Sequence, residues 1–429
     1  MKRNIRIRPL DPVMIRDGRP FNKTPGIRAH SLNSVTPGTL AGTLRTLFGK
    51  LETGNGQRVK DRYIKLAENI EVLGPILMRR DKLFFPMPLD LDIYELTDDE
   101  SEKNKIHMSV RRPRQPADEA AKTEGFLGTG KIGLHEDILW PVSMPRGAWK
   151  SLRKVPAYIS AEWMIRWLCG DISQEEWEEE LEQWVNSENK SDNSHPHFMD
   201  ALEKEIRDHT EIDDSSGTAR DKKLFSTEAI VFPPEVSMIA QMMISDEFDI
   251  PGSIQTVHPL GGERRLASFE EISDETAVNR IWQCPESVIE AVDKVVDKGS
   301  DKNKIYLRMV LTTPAYFSKG WLPGWLNEQL KSSSDRFPNM ELQLRWASIP
   351  RWEGISGWSY RHQGPKAVRR MVPAGSVYFF EVISGDPVEF VKEKWLMPMS
   401  DFDKRKGSFD KYDGCGMAIW GIWSPIQNQ

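Results

Sequence analysis

Cysteine is scarce in this chain: three in 429 residues, Cys169, Cys284 and Cys415, far apart in sequence. They make neither a disulfide framework nor a CxxC metal pair, so a reducing cytoplasm is the expected compartment. Long hydrophobic runs are missing too. No stretch approaches the ~20 apolar residues of a membrane helix, and no membrane partner is expected. Basic residues open the chain but no apolar signal core follows them. Instead Ile5 and Ile7 alternate with Arg6 and Arg8, which is strand spacing. There is no short-period repeat. A positive balance is also lacking: 58 Lys+Arg stand against 64 Asp+Glu, a net charge of −6. Taken as one number, this argues mildly against a phosphate-rich ligand.

The sum hides a segregation. From Asp171 to Asp214 there are 16 acidic and 3 basic residues, net −13, which leaves +7 on the other 385 residues. Residues 1–50 hold ten Lys/Arg and two Asp, net +8. The average is therefore a poor guide to the partner. At 39% apolar and 28% charged, the composition is that of a globular protein, and the length suits two to three domains.

The coarse pattern is α+β. Strands are expected over 5–10, 70–78, 83–87, 224–232, 236–244, 305–313, 342–347 and 415–423, with a hairpin turn at 79–82. Helices are expected from Thr36, an N-cap before Pro37, and over 157–168, 285–296 and 323–331. Another starts at the capping box Ser173-Gln174-Glu175-Glu176, with Trp177, Leu181 and Trp184 on one face and glutamates opposite. Residues 186–214 read as loop plus a short helix, 258–269 as a Gly/Arg-rich loop, and 371–382 as a turn running into an apolar strand. The order strand–helix–strand–strand–helix–strand fits twice, a split βαβ pattern with helices on one face of an antiparallel sheet.

Most motifs with a catalytic look dissolve on inspection. Gly128-Thr129-Gly130-Lys131-Ile132-Gly133 matches GxGxxG, and Gly125 to Lys131 matches GxxxxGK. A polar stretch precedes them where a strand is required, and Ile132 stands where Ser or Thr would hold magnesium, so nucleotide hydrolysis is rejected. His195 and His197 lie in a polar loop without a third ligand and read as surface residues. No metal or cofactor site is expected. His30 alone, in the basic first loop, has the chemistry of a general base for RNA cleavage, which normally needs a second group.

The basic loops are more informative. Arg16, Arg19, Lys23 and Arg28 flank glycines and a helix start, where the amides of Gly38 and Thr39 would complete a phosphate site. Gly261-Gly262-Glu263-Arg264-Arg265 has the same character, as do Lys366, Arg369 and Arg370 leading into Pro373-Ala374-Gly375-Ser376. Solvated loop charge explains any one of them; three together favour a polyanion. Trp321, Trp325, Trp346, Trp352 and Trp358 have rings that stack on bases, though core positions suit most tryptophans.

In order, these segments resemble a known family. They are Pro9-Leu10-Asp11 with Arg16-Asp17-Gly18-Arg19-Pro20-Phe21, then Thr36 to Arg45 and Leu260 to Ala267. Thr313-Pro314-Ala315, Gly320-Trp321-Leu322-Pro323 and Ser356-Gly357-Trp358 follow, and Pro373 to Tyr378 and Gly414 to Ala418 close the set. The chain is similar to the RAMP-superfamily subunit that holds the guide-RNA 5′ handle in type III-B (Cmr) CRISPR effector complexes, an antiviral system. The stretch from about 90 to 215 departs from the family pattern. The resemblance implies two ferredoxin-like (RRM-like) domains with long insertions and glycine-rich loops. Residues 1–250 would form the first, with a polar insertion at about 90–130 and an acidic one at about 156–215, and residues 251–429 the second. It implies contacts with guide RNA, the large polymerase-like subunit and the first RAMP backbone subunit, and indirectly with target RNA. It implies no catalysis of its own. The expected RNA-binding residues are Arg16, Arg19, Arg28, His30, Thr36, Gly38, Thr39, Arg45, Gly261, Gly262, Arg264, Arg265, Lys366, Arg369, Arg370, Gly375 and Ser376. A guide-processing, metal-independent ribonuclease of the same superfamily, using His30, is the alternative.

Overall fold

Alternation in the first strand builds the first core. Ile5 and Ile7 point one way and are fully buried, while Arg8 between successive apolar positions stays exposed. The computed structural model describes residues 1–19, 26–53, 69–96, 105–115, 139–142, 149–187, 195–221, 223–245, 252–272, 280–298, 304–359, 364–401 and 412–426. The glycine motifs between 125 and 133 lie outside them. Strands Lys2–Pro9 (β1), Ile70–Arg79 (β2), Lys82–Pro86 (β3), Tyr158–Ser160 (β4), Phe198–Met199 (β5), Val236–Ile244 (β6), Gln255–Pro259 (β7) and Leu266–Ile272 (β8) make one antiparallel sheet. Their order is β7-β8-β1-β6-β2-β3-β4-β5. Helix Pro37–Thr53 (α1) lies on one face, placing Leu40, Leu44, Leu47 and Phe48 against Ile5, Ile7, Val72 and Met238. Thr36 caps it, its hydroxyl accepting from the Thr39 amide at 3.3 Å.

A second antiparallel sheet comprises Tyr306–Leu311 (β9), Met340–Ser348 (β10), Val377–Gly385 (β11), Met397–Pro398 (β12) and Met417–Ile422 (β13), in the order β10-β11-β9-β13-β12. Its Leu307, Met309 and Leu311 pack with Trp325, Phe337, Phe390 and Trp420. Tyr306 and Val310 instead enter a cluster shared with Leu73, Ile76 and Ile239 of the first sheet. Helices Ala161–Cys169 (α2) and Gln174–Ser187 (α3) supply Trp163, Trp167, Trp177, Leu181 and Trp184 to that cluster. Thus α2 and α3 pack into the cluster that both sheets share. Helices Glu286–Lys298 (α4) and Pro387–Lys394 (α5) complete the described helices.

Several expectations change. Residues 158–160 are strand β4, and Ser160 is the N-cap of α2, so the helix begins later than 157. Residues 260–265 are the expected Gly/Arg-rich turn, but 258–259 and 266–269 on either side belong to the paired strands β7 and β8. Residues 323–331 are turns, not helix. The Asp401 carboxylate takes the amides of Ser318 and Gly324 at 2.7 and 2.8 Å, and Asn327 Oδ1 takes those of Gln329 and Lys331. Side chains that satisfy backbone donors this way compete with a helix. The described residues from 195 to 214 contain β5 and a strand at Lys204–His209 and no helix, while 188–194 lie outside the described residues.

The acidic helix turns part of its glutamate face inward. Glu178 and Glu182 each accept a backbone amide of the edge strand Ile106–Val110, from Met108 and Ile106, both at 3.1 Å. Carboxylates thereby close an edge that would otherwise offer free donors. Glu176 pairs with Arg166 through both oxygens, at 2.7 and 3.0 Å.

His195 is a core residue, 6% exposed, stacked on Phe198 at 5.2 Å. Its polar surroundings in sequence gave no sign of this. Its Nδ1 accepts the amides of His197 and Phe198, and its Nε2 lies 3.4 Å from Glu180. Burial, then the charges of His197 and Arg79, push the imidazole down to about 4. Between pH 6.5 and 4 the unfolded chain takes up a proton that the folded chain refuses. Stability from this site is therefore complete above pH 6.5 and falls toward pH 4, by about 3 kcal/mol in all. In His195→Asn the amide oxygen replaces Nδ1 as acceptor, and denaturation midpoints should lose that part of their acid dependence. Parallel pH profiles for the two proteins would refute it.

Candidate nucleic-acid interface

Three segments remote in sequence meet at one place. The β7–β8 turn folds onto the loop after β1: the Gly262 amide donates to the Met14 carbonyl at 2.7 Å. Gly261 sits at φ +76°, and a Cβ there would lie 2.6 Å from the same carbonyl oxygen, so no side chain fits. Leu260 and Arg265 close the turn with a 2.7 Å amide–carbonyl bond. The other side of the loop meets a hairpin of the second half. Asp17 forms a β-bridge with Ile355, and a Cβ on Gly18 would lie 2.6 Å from a methyl of Val368. The hairpin pairs Glu353–Ile355 with Arg369–Met371 and Trp358–Ser359 with Gly364–Pro365.

Cations line this junction. Arg264 is exposed at the turn, and Arg265 beside it is half-buried. Arg16 is exposed and donates to the Arg19 carbonyl at 3.3 Å. Arg19 pairs with Asp17 at 3.0 Å, but at 71% exposure this surface pair contributes little to stability. Lys366 and Arg370 are exposed and Arg369 half-buried on the hairpin. Arg28 is exposed on a short strand, Ile27–Ala29, parallel to Phe225–Ile230. Next to it the His30 Nδ1 lies 3.2 Å from Glu228, whose other oxygen accepts from Lys204 at 2.6 Å. Burial disfavours the Glu228 carboxylate, but Lys204 and His30 outweigh it and hold the carboxyl below the usual range.

Other expected residues sit elsewhere. Arg45 is 2% exposed. Its guanidinium is bonded to Asp413, to the Ile70 carbonyl at 2.9 and 3.1 Å, and to the Tyr412 carbonyl at 2.8 Å. The start of α1, expected to take a phosphate, has a carboxylate against it: a Cβ on Gly38 would lie 3.6 Å from Asp413 Oδ2. Thr36 is buried, and its hydroxyl bonds with that of Thr39 at 2.9 Å. Gly375 packs on the Met87 carbonyl, and Ser376 is buried with its hydroxyl donating to Pro373 at 2.8 Å. Arg45, Gly38 and Gly375 thus face remote segments of the chain, Thr36 and Ser376 are buried in local turns, and the set offers little to a solvent-borne ligand. Among the candidate tryptophans, Trp325 is buried and Trp346 half-buried, whereas Trp321, Trp352 and Trp358 are exposed. Arg351, 6.0 Å from the Trp352 ring, was missed from sequence. Its one signal was its place beside a tryptophan in a basic stretch.

The family model described as CRISPR-associated protein (Cas_Cmr3) matches residues 5–423. No curated protein matches the chain. Among solved structures, a chain of the type III-B Cmr-beta complex bound to cognate target RNA and AMPPnP shares 14% identity, over 96% of this chain and 93% of that one, at a TM-score of 0.45. A chain of the same complex bound to cognate target RNA shares 15%, over 96% and 94%, at 0.44. A chain of the Csm3–Csm4 subcomplex of a type III-A interference complex shares 11%, over 90% and 94%, at 0.33.

Proposed function

Because the chain belongs to the Cas_Cmr3 family of CRISPR-associated proteins, subunits of the type III-B effector complex, we propose that it is the non-catalytic subunit that anchors the 5′ handle of the guide RNA. The meeting of the three basic loops carries this reading. Glycines let the backbones close up, and Arg16, Arg19, Arg28, Arg264, Arg265, Lys366 and Arg370 contact successive phosphates. The large polymerase-like subunit and the first backbone subunit dock beside this face, and target RNA is met through the guide. No helix among the described residues is long and apolar enough to cross a membrane, and we assign the subunit to the cytoplasm. We read the strand orders β8-β1-β6-β2 and β13-β9-β11-β10 as two ferredoxin-like units. On this reading the first extends to about residue 272, because β7 and β8 pair into its sheet.

The test is RNA binding by the assembled complex across salt. Affinity for handle-containing RNA should fall steeply between about 50 and 500 mM salt. Equal affinity at both ends would remove the phosphate-contact mechanism. A metal-independent ribonuclease is the second reading, favoured by the Glu228 carboxylate that orients His30. Incubation with repeat RNA in chelator decides it. We expect no cleavage, and cleavage lost in His30→Ala would establish the enzyme.

A further inference from the structure

We propose that Trp352 and Trp358 form a stacking platform for unpaired RNA bases at the end of the basic face, an inference that rests on the RNA-binding reading. The hairpin that carries them lies beside Arg16 and Arg19 through the Asp17–Ile355 bridge and the Gly18–Val368 contact. A strand of RNA running along the loop cations therefore meets these rings next.

Their exposure is unusual for this molecule. Trp163, Trp167, Trp177, Trp184, Trp325, Trp395, Trp420 and Trp423 are buried, whereas Trp352 is 45% and Trp358 57% exposed. Leaving large rings in water forfeits burial energy that a ligand can recover. Local geometry presents them. Gly354 has no side chain, and a Cβ there would lie 3.5 Å from the Trp352 ring, so the indole lies across the hairpin. The Arg370 guanidinium is 4.8 Å from the same ring centroid. Across the hairpin Trp358 pairs with Pro365, and the Lys366 stem lies over the neighbouring Gly357, with a Cβ there 3.6 Å from Lys366 Cδ.

The electrostatics favour nucleic acid over a protein anchor. From Arg351 to Met371 the described residues carry four cations, Arg351, Lys366, Arg369 and Arg370, against one carboxylate, Glu353. That carboxylate is half-buried and pushed up by burial. An aromatic ring with a cation on it is the arrangement that takes a base on the ring and its phosphate on the cation. Protein interface cores, by contrast, are depleted in lysine.

Stacking is insensitive to salt, which separates it from the phosphate contacts. In the assembled complex, Trp352→Ala and Trp358→Ala should each weaken guide-RNA binding by roughly five- to a hundredfold, with the salt slope unchanged. Trp352→Tyr and Trp358→Tyr should restore most of it. Guide RNAs with single abasic nucleotides should lose affinity for the wild type at one or two positions, and the alanine variants should be indifferent to those positions. Alanine variants that bind like the wild type, with its salt slope intact, overturn the platform and leave the RNA-binding reading standing. A wild-type complex that does not bind guide RNA removes both. Variants that assemble in lower yield, yet bind RNA normally in the complex that does form, make the tryptophans protein anchors and overturn the proposal.

Discussion

The triple charge reversal Arg16→Glu, Arg264→Glu, Arg370→Glu should weaken handle-RNA binding by about a thousandfold or more near 100 mM salt, since each lost charge-assisted contact costs roughly 1.5–3 kcal/mol. One residue comes from each of the three loops, so the variant tests their convergence and not one patch. The slope of log affinity against log salt should shrink by about 2, because each single-strand phosphate contact contributes about 0.7. All three side chains are exposed, and exposed substitutions usually shift stability by only about 0.5 kcal/mol. Unfolding midpoints should therefore stay near those of the wild type. If only one of the three single reversals changed the slope, the RNA would follow a different path. If assembly failed while RNA affinity held, the glycine loops would serve neighbouring subunits instead.

Arg45→Ala should do the opposite: cost about 3–5 kcal/mol of stability and leave the salt slope of RNA binding intact. Arg45 reaches from α1 to the first carbonyl of β2 and to Tyr412 and Asp413, so it ties the N-terminal helix to the loop before β13. Removing it takes the Arg45 guanidinium away from Asp413, whose side chain is 4% exposed, and breaks a buried ion pair. The paired change Arg45→Met with Asp413→Leu should recover much of the loss, because buried ion pairs are often matched by apolar packing. Chemical denaturation measures both variants. A loss below about 1 kcal/mol in Arg45→Ala, or a reduced salt slope, would return Arg45 to the RNA face.

Arg45 shows where local reading runs out. In sequence it is one more arginine in a basic stretch, on a helix with a phosphate-site signature. Nothing within 50 residues announces Asp413, its partner 368 positions away. His195 repeats the lesson with opposite chemistry: polar neighbours suggested solvent, and Phe198, Trp163 and Arg79 instead enclose the loop. The failed helix at 323–331 has the same origin, since Asp401 captures amides from far along the chain.

The sequence by itself determined the elements whose periodicity is local: β1 with its alternating isoleucines, α1 behind its Thr36 cap, the β2–β3 hairpin, and α3 with its tryptophan face. It also determined that charge is segregated, with glycine-flanked cations in three loops, and the family segments followed in order. Only the tertiary structure decided which of those cations face solvent. It brought the loops that carry Arg16, Arg264 and Arg370 into contact and spent Arg45 inside. It closed the start of α1 with Asp413 and turned Glu178 and Glu182 onto an edge strand. The physical reason is that a charge has no periodicity. Whether it pairs, hydrates or awaits a ligand depends on the dielectric and the partners that long-range packing provides.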